Sequence, residues 1–349
     1  MNNTSRPTHL VGSVPFATAE EVFSVAGELL GNTLRSIPDG ETGERIHWFM
    51  WQQKVMEDSP FLRRARQSSK DPSTAAEQAG LGRYEVRGEL SGARFDKLGY
   101  ADAAMASYKT FARLRASGKV PHGVRFQVSL PTPLAPMTVM IESKDYEKVE
   151  PLYEDAMRAE IEAICRVIPA NDLAIQWDVA NEIGILEGIP IVPNPEILFP
   201  NPKSDILRRM LKVASWVPDE VALGFHFCYG DYDHKHYMEP KDARVMVDLA
   251  NAIFRETSRR IDWVHMPVPK ERDDDAYFAP LADLDLPAET QLYLGLVHYT
   301  DGLEGGKRRI ATAQRHVPAF GVATECGLGR RPPATIRDVM KLMAALASA

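Results

Sequence analysis

Short apolar runs alternate with amphipathic stretches from one end of this chain to the other, and that rhythm limits the fold more than any other feature. The runs are Leu10–Pro15, Leu34–Pro38, Val124–Leu130, Leu173–Val179, Val221–Cys228, Trp263–Val268, Gln291–His298 and Phe320–Thr324, eight in all. Between them Ala19–Leu30, Tyr146–Val167, Ser204–Ala214, Pro240–Arg259, Gly306–Arg315 and Pro333–Ala347 carry helical spacing, the last opened by Pro332 and Pro333. Eight strands alternating with helices across 349 residues predict an α/β fold, a (β/α)8 TIM barrel forming one catalytic domain over 1–349. Parallel strands are covered on both faces, which explains runs that are almost wholly apolar. A doubly wound sheet would put a Gly-rich phosphate turn after the first strand, but the chain reads Gly12-Ser-Val-Pro15 there.

Two segments exceed a minimal barrel. Tyr84–Phe95 alternates around Gly88 and Gly92 and predicts a β-hairpin insertion before the third strand. Gly184–Lys203 carries Pro190, Pro193, Pro195, Pro200 and Pro202. It reads as a Pro-rich lid loop or, equally, as a loop packed across the barrel rim.

Apolar residues make up 44% of the chain and charged residues 26%, the balance of a soluble globular protein. The net charge of -7 argues against nucleic acid as the main partner. The polar start, Met1–Thr8, has no signal core, and no run approaches the about 18 apolar residues of a membrane span. The odd count of 3 cysteines fits a reducing, cytoplasmic setting.

Function in such a barrel sits at the C-terminal ends of the strands. Those ends collect His226, Cys228 and Tyr229 on the fifth run, His265 on the sixth, His298 on the seventh, and Glu325 and Cys326 on the eighth. Asp178 ends the fourth, Asp39 and Glu41 follow the second, and Gly12 and Ser13 close the first. His226 and Cys228, two apart on a strand, face one side. Cys326 can reach the same pocket from the eighth strand, and a nitrogen-and-sulfur set of three with an open position suits catalytic zinc. The plain alternative is that these cysteines are small buried hydrophobes, as Cys165 is on the apolar face of its helix. His234 and His236 either hold a metal or belong to a solvated loop near the site entrance. Trp48, Phe49 and Trp51 either line a donor pocket or form a helix packing face.

In order along the chain, Val11-Gly-Ser-Val-Pro15, Asp39-Gly-Glu41, Ile175-Gln-Trp-Asp178, His226-Phe-Cys228-Tyr229 and Cys326-Gly-Leu328 resemble the landmarks of the C-terminal catalytic barrel of cobalamin-independent methionine synthase. That family belongs to a wider group with uroporphyrinogen decarboxylase. The resemblance implies His226, Cys228 and Cys326 as zinc ligands. It implies Ser13, Glu41 and Asp178 as the residues that hold the carboxyl and amino groups of homocysteine; the plain alternative for Glu41 is an ion pair with Arg45. The implied chemistry is a thiol activated as thiolate and then methylated, with a small-molecule thiol and a methyl or alkyl donor as partners.

The departures are specific. The family's fourth ligand, a glutamate on the sixth strand, is replaced by Ile261-Asp-Trp-Val-His-Met-Pro-Val268. This leaves His265 or Glu325 as substitute, or a site with three protein ligands as in epoxyalkane:coenzyme M transferases. The family's Asp-x-His on the seventh strand becomes Val297-His-Tyr-Thr-Asp301, with His298 and Asp301 as candidate proton donors. The segment after the third strand lacks the family's pterin-stacking tryptophan, which argues against folate as donor. A metal-free decarboxylase, another zinc-assisted thiol alkylation, demethylation or C–S cleavage, and a non-catalytic metal-binding barrel stand as the alternatives.

Overall fold

The structure, a computed structural model, describes residues 5–65, 82–191, 195–230, 236 and 238–349. Ten strands follow in chain order: β1 Thr8–His9, β2 Ser36–Pro38, β3 Leu62–Arg64, β4 Tyr84–Val86, β5 Arg125–Pro131, β6 Leu173–Val179, β7 Ala222–Phe227, β8 Trp263–Pro267, β9 Gln291–Val297 and β10 Gly321–Thr324. Eight of them form one parallel sheet in the order β1-β10-β9-β8-β7-β6-β5-β2. A parallel bridge from Thr8 to Leu34 brings the two edge strands together, so the sheet closes into the expected (β/α)8 barrel.

The helices cover the barrel as the apolar spacing demands. Ala19–Leu30 and Tyr146–Val167 have the predicted bounds. Thr18 caps the first by accepting from the Glu21 N–H. Sequence reasoning passed over Tyr100–Ala116, whose buried face mixes the small Ala101, Ala104 and Ser107 with Tyr100, Phe111 and Leu114. Its N-terminus is capped from outside: the Glu160 carboxylate accepts from the N–H groups of Leu98, Gly99 and Ala101.

Three expectations need correction. The first strand is Thr8–His9, not Leu10–Pro15; the carbonyls of Leu10 and Val11 are taken by the Gln127 side chain instead of a ladder. The hairpin does not lie within Tyr84–Phe95. Tyr84–Val86 is its second strand and pairs antiparallel with Leu62–Arg64, while Gly88 and Gly92 take positive φ in irregular chain. Residues 66–81 between the two strands lie outside the described residues. In the Pro-rich segment, Leu198 and Phe199 are buried, with Phe199 against Tyr146 and under the Arg209 guanidinium. That end is anchored in the helical ring like the rim-packed loop; residues 192–194, and with them the lid reading at its centre, lie outside the described residues. Among the described residues no helix is long and apolar enough to cross a membrane.

Candidate metal centre

The site is built from turns at the strand ends. After β2, Gly40 takes φ +80 and Glu41 φ +49, a left-handed conformation that a glutamate adopts only under constraint. Asp39 supplies the constraint: its carboxylate accepts from the Glu41 N–H at 2.9 Å, from Arg45 at 2.6 Å and from the Ser107 hydroxyl at 2.7 Å. Arg45 is therefore the partner of Asp39, and the Glu41 carboxylate projects toward Gly12 with no hydrogen bond assigned to it. A Cβ on Gly12 would overlap Glu41 Oε1, so only glycine leaves the carboxylate its place.

Asp178, at the end of β6, is buried and accepts from Gln176 Nε2 at 2.8 Å. Burial raises both carboxyls well above their usual range; the Asp178 charge lifts Glu41 further, and Cys326 and Glu182 add to the lift on Asp178. Ser13 sits beside the eighth-strand turn: its carbonyl accepts from the Leu328 N–H and its hydroxyl from the Gly329 N–H. Gly327 and Gly329 leave no room for a Cβ against Ser13.

The strand register aligns Asp178 with His226 and His226 with His265. Cys228 follows on β7, and Cys326 follows β10. The ligand atoms of His226, Cys228 and Cys326 all lie within 4.8 Å of one another. Cys228 Sγ is 3.6 Å from Cys326 Sγ, and Cys326 Sγ is 3.7 Å from His226 Nε2. Tetrahedral zinc, with sulfur near 2.3 Å and nitrogen near 2.0 Å, spaces its ligand atoms about 3.5–3.8 Å apart. The residues present therefore fit that ion. None of the three cysteines is in a disulfide. Burial, and then His9, lowers His226 to about 3, so it is held neutral, the form a metal takes. Among the described residues no fourth His, Cys, Asp or Glu joins the group. Cys165 is apart from it, and burial raises its thiol to about 11.

The substitute ligands and proton donors fare differently. His265 stands outside the trio with both ring nitrogens engaged: Nδ1 meets His226 Nδ1 at 2.7 Å, and Nε2 donates to the Thr324 carbonyl at 3.0 Å. Glu325 turns to the other side, accepting from His236 Nε2 at 2.8 Å, with His298 Nδ1 at 3.7 Å from its second oxygen. Burial works against His236, yet the bond and charge of Glu325, and then of Glu239, raise it to about 9. His236 thus belongs to the rim of the site, while His234 lies outside the described residues. His298 donates Nε2–H to the Val268 carbonyl at 2.8 Å, and burial lowers its pKa against the pull of Glu325.

Asp301 is not placed as an acid. Despite partial burial, the fully buried Arg309 binds it through two nitrogens at 2.7 and 2.9 Å and holds it below the usual range. Phe49 is buried in the packing, while Trp51 stands partly exposed and edge-on to Tyr100. Trp48 takes φ +57 and, with Glu41, is one of the two non-glycine residues with positive φ among those described.

Sequence reasoning gave no role to two residues in this region. Gln176, two before Asp178 on the same strand face, orients that carboxylate; the alternation of β6 was the available signal. Glu182 is fully buried with its Oε2 unpartnered, and burial raises it to about 7. Nothing in a single sequence marks it. A separate crevice of about 280 Å³, lined by Trp51, Lys54, Asp58, Phe95, Asp96 and Lys97 among others, contains none of these site residues.

No protein-family model matches this chain, and no curated protein does. Solved structures do. A protein assigned as a vitamin-B12-independent methionine synthase from Listeria monocytogenes superimposes with a TM-score of 0.60 at 14% identity, over 99% of this chain and 98% of the other. A B12-independent methionine synthase from Shewanella sp. W3-18-1, in complex with selenomethionine, gives 0.63 at 13% identity, over 99% and 97%. The chain has the methionine synthase-like barrel fold. The match runs end to end, so the barrel is shared as a whole and not as a common core alone.

Proposed function

We propose that this protein is a zinc-dependent transferase that activates a small-molecule thiol and moves a methyl, or another alkyl, group onto it, with homocysteine to methionine as the leading case. The observation that carries this reading is the trio of His226, Cys228 and Cys326 in the mouth of a methionine synthase-like barrel, with Cys326 Sγ at the spacing tetrahedral zinc needs from both Cys228 Sγ and His226 Nε2. Bound there, zinc would supply the positive charge that keeps a substrate sulfur deprotonated and nucleophilic at neutral pH.

The protein's own residues then set which thiol enters. Glu41 and Asp178 resist ionisation in the free site, and a substrate ammonium supplies the cation they lack. Ser13 offers a hydroxyl for the substrate carboxylate. Asp178 and His226 are register partners on adjacent strands, about 4.8 Å apart. A ligand that spans them carries its amino group and its sulfur only a few bonds apart, as an amino-acid thiol does. A sulfonate thiol of the coenzyme M kind would bring an anion to two carboxylates. The selenomethionine held by the Shewanella protein is the selenium form of the product this reading predicts.

In the reaction the thiol loses its proton, sulfur attacks the donor carbon, and the carbon–donor bond breaks with its electron pair leaving on the donor. This reading assigns the proton the donor then needs to His298, whose Nδ1 lies 3.7 Å from a Glu325 oxygen. Thiols at Cys228 and Cys326 that are not joined in a disulfide suit a reducing, cytoplasmic setting.

The test is zinc per chain in wild type and Cys228→Ser, together with methionine formation from homocysteine and a panel of methyl donors. About one zinc in wild type, little in the variant, and thiol-dependent methyl transfer lost with the metal are expected. A wild type that takes up no zinc under reducing conditions overturns the reading.

A further inference from the structure

We infer that His265 is a positioning residue that fixes the ring tautomer of His226 and so presents the lone pair of His226 Nε2 to the metal position. The inference rests on the zinc reading above and deepens it. A backbone carbonyl can only accept, so the contact of His265 Nε2 with the Thr324 oxygen at 3.0 Å places the hydrogen on Nε2. The other nitrogen of the neutral ring then carries a lone pair. His226 Nδ1 lies 2.7 Å from that nitrogen, and one hydrogen must stand between them. It therefore sits on His226 Nδ1, which leaves Nε2 of His226 unprotonated and facing Cys326 Sγ at 3.7 Å.

The chain of constraints starts and ends on one segment, since Thr324 lies two residues before Cys326. Both rings are buried, and they meet with centroids 4.7 Å apart, so no water competes for these nitrogens. A metal-binding histidine is usually oriented by a carboxylate or a carbonyl on its second nitrogen. Here a second histidine does that work and passes on the preference of the Thr324 carbonyl. This also accounts for His265 standing in the barrel without being a ligand.

The experiment combines two measurements on the full chain. The first is nitrogen NMR of the metal-free protein, labelled at histidine. Wild type is expected to show His226 as the Nδ1–H form, and His265→Leu a mixture of both forms. The second is Zn2+ affinity by chelator competition. His265→Leu should bind about 10- to 100-fold more weakly. His265→Asn, whose Oδ1 accepts where Nδ1 did, should recover most of that loss. Equal affinity in wild type and His265→Leu, or His226 as the Nε2–H form in wild type, overturns the inference. Should His265→Leu fail to fold, the wild-type spectrum and His265→Asn still decide it. Absence of Zn2+ binding in wild type overturns the functional reading instead, while the spectrum still reads the tautomer.

Discussion

Glu182 makes a prediction whose size can be worked from its surroundings. It opens the helix Asn181–Leu186 just beyond β6, fully buried, with the Thr132 hydroxyl donating to one oxygen and no partner on the other. Burial lifts it from 4.5 to about 7. At about 1.36 kcal/mol per pH unit, that rise costs the folded state about 3 kcal/mol once the group is ionised. The sign is opposite to that of a salt-bridged acid. A carboxyl with a raised folded pKa holds a proton that the unfolded chain has already lost. Its contribution is intact below pH 4.5 and is lost as pH rises through about 7.

Glu182→Gln keeps an oxygen for Thr132 and removes the charge, but leaves buried amide hydrogens unpaired at a cost of about 1 kcal/mol. The variant should therefore be about as stable as wild type at pH 5, where the unfolded carboxyl is already mostly ionised, and about 2 kcal/mol more stable at pH 8. Urea unfolding at the two pH values, read as the difference between the proteins, cancels every other titrating group. Parallel pH profiles for the two proteins would refute the argument.

Three further outcomes follow from the same geometry. Glu41→Gln removes a charged partner of the substrate ammonium worth about 1.5–3 kcal/mol, so KM for the amino-acid thiol should rise about 10- to 150-fold. In wild type, kcat/KM should climb with pH as the raised carboxyls ionise, and in the variant that climb should flatten; an unchanged KM counts against the ammonium pocket. Gly12→Ala would push on Glu41 Oε1, the free end of a flexible side chain, so KM should rise while the thermal midpoint stays near wild type. Asp301→Ala strips the two-pronged partner from buried Arg309 and should lower stability by about 2–4 kcal/mol, with kcat within about threefold in the folded enzyme. A large kcat loss in a folded Asp301→Ala protein would restore a chemical role to that residue.

The barrel was legible because parallel strands, covered on both faces, leave long apolar runs that no other class shows at this spacing. Seven of the eight predicted runs match their strands to within a residue or two, and Ala19–Leu30 and Tyr146–Val167 match as helices. The first strand was not legible, because Leu10–Pro15 is apolar for reasons of burial while its backbone is bonded to the side chain of Gln127. Tyr100–Ala116 hid behind alanines. That His226, Cys228 and Cys326 come together could be read from their positions at strand ends. His265 and Asp301 could not be placed, because their roles depend on which partner each ring nitrogen or oxygen meets. That is set by packing between strands distant in sequence.

The interior beneath the site is polar where a stability argument alone would make it apolar, and each group there is spoken for. Gln127 donates to the carbonyls of Leu10 and Val11 and accepts from the Ser36 hydroxyl at 2.6 Å. Gln176 donates to the Val11 carbonyl and to Asp178, and accepts from His9 at 2.7 Å and from the Trp263 indole N–H at 3.3 Å. A buried network with every member satisfied is rigid, because any displacement strands a donor or an acceptor in a medium that penalises it. Val11 lies in the segment that leads to Gly12 and Ser13, so the same amides that aim Asp178 also fix the turn against which Glu41 and the Cys326 loop rest. The carboxylates and the trio of His226, Cys228 and Cys326 are thereby held to one frame. On the proposed reading, the distance between an ammonium and a sulfur bound there would be a property of the barrel that a substrate must match before chemistry begins.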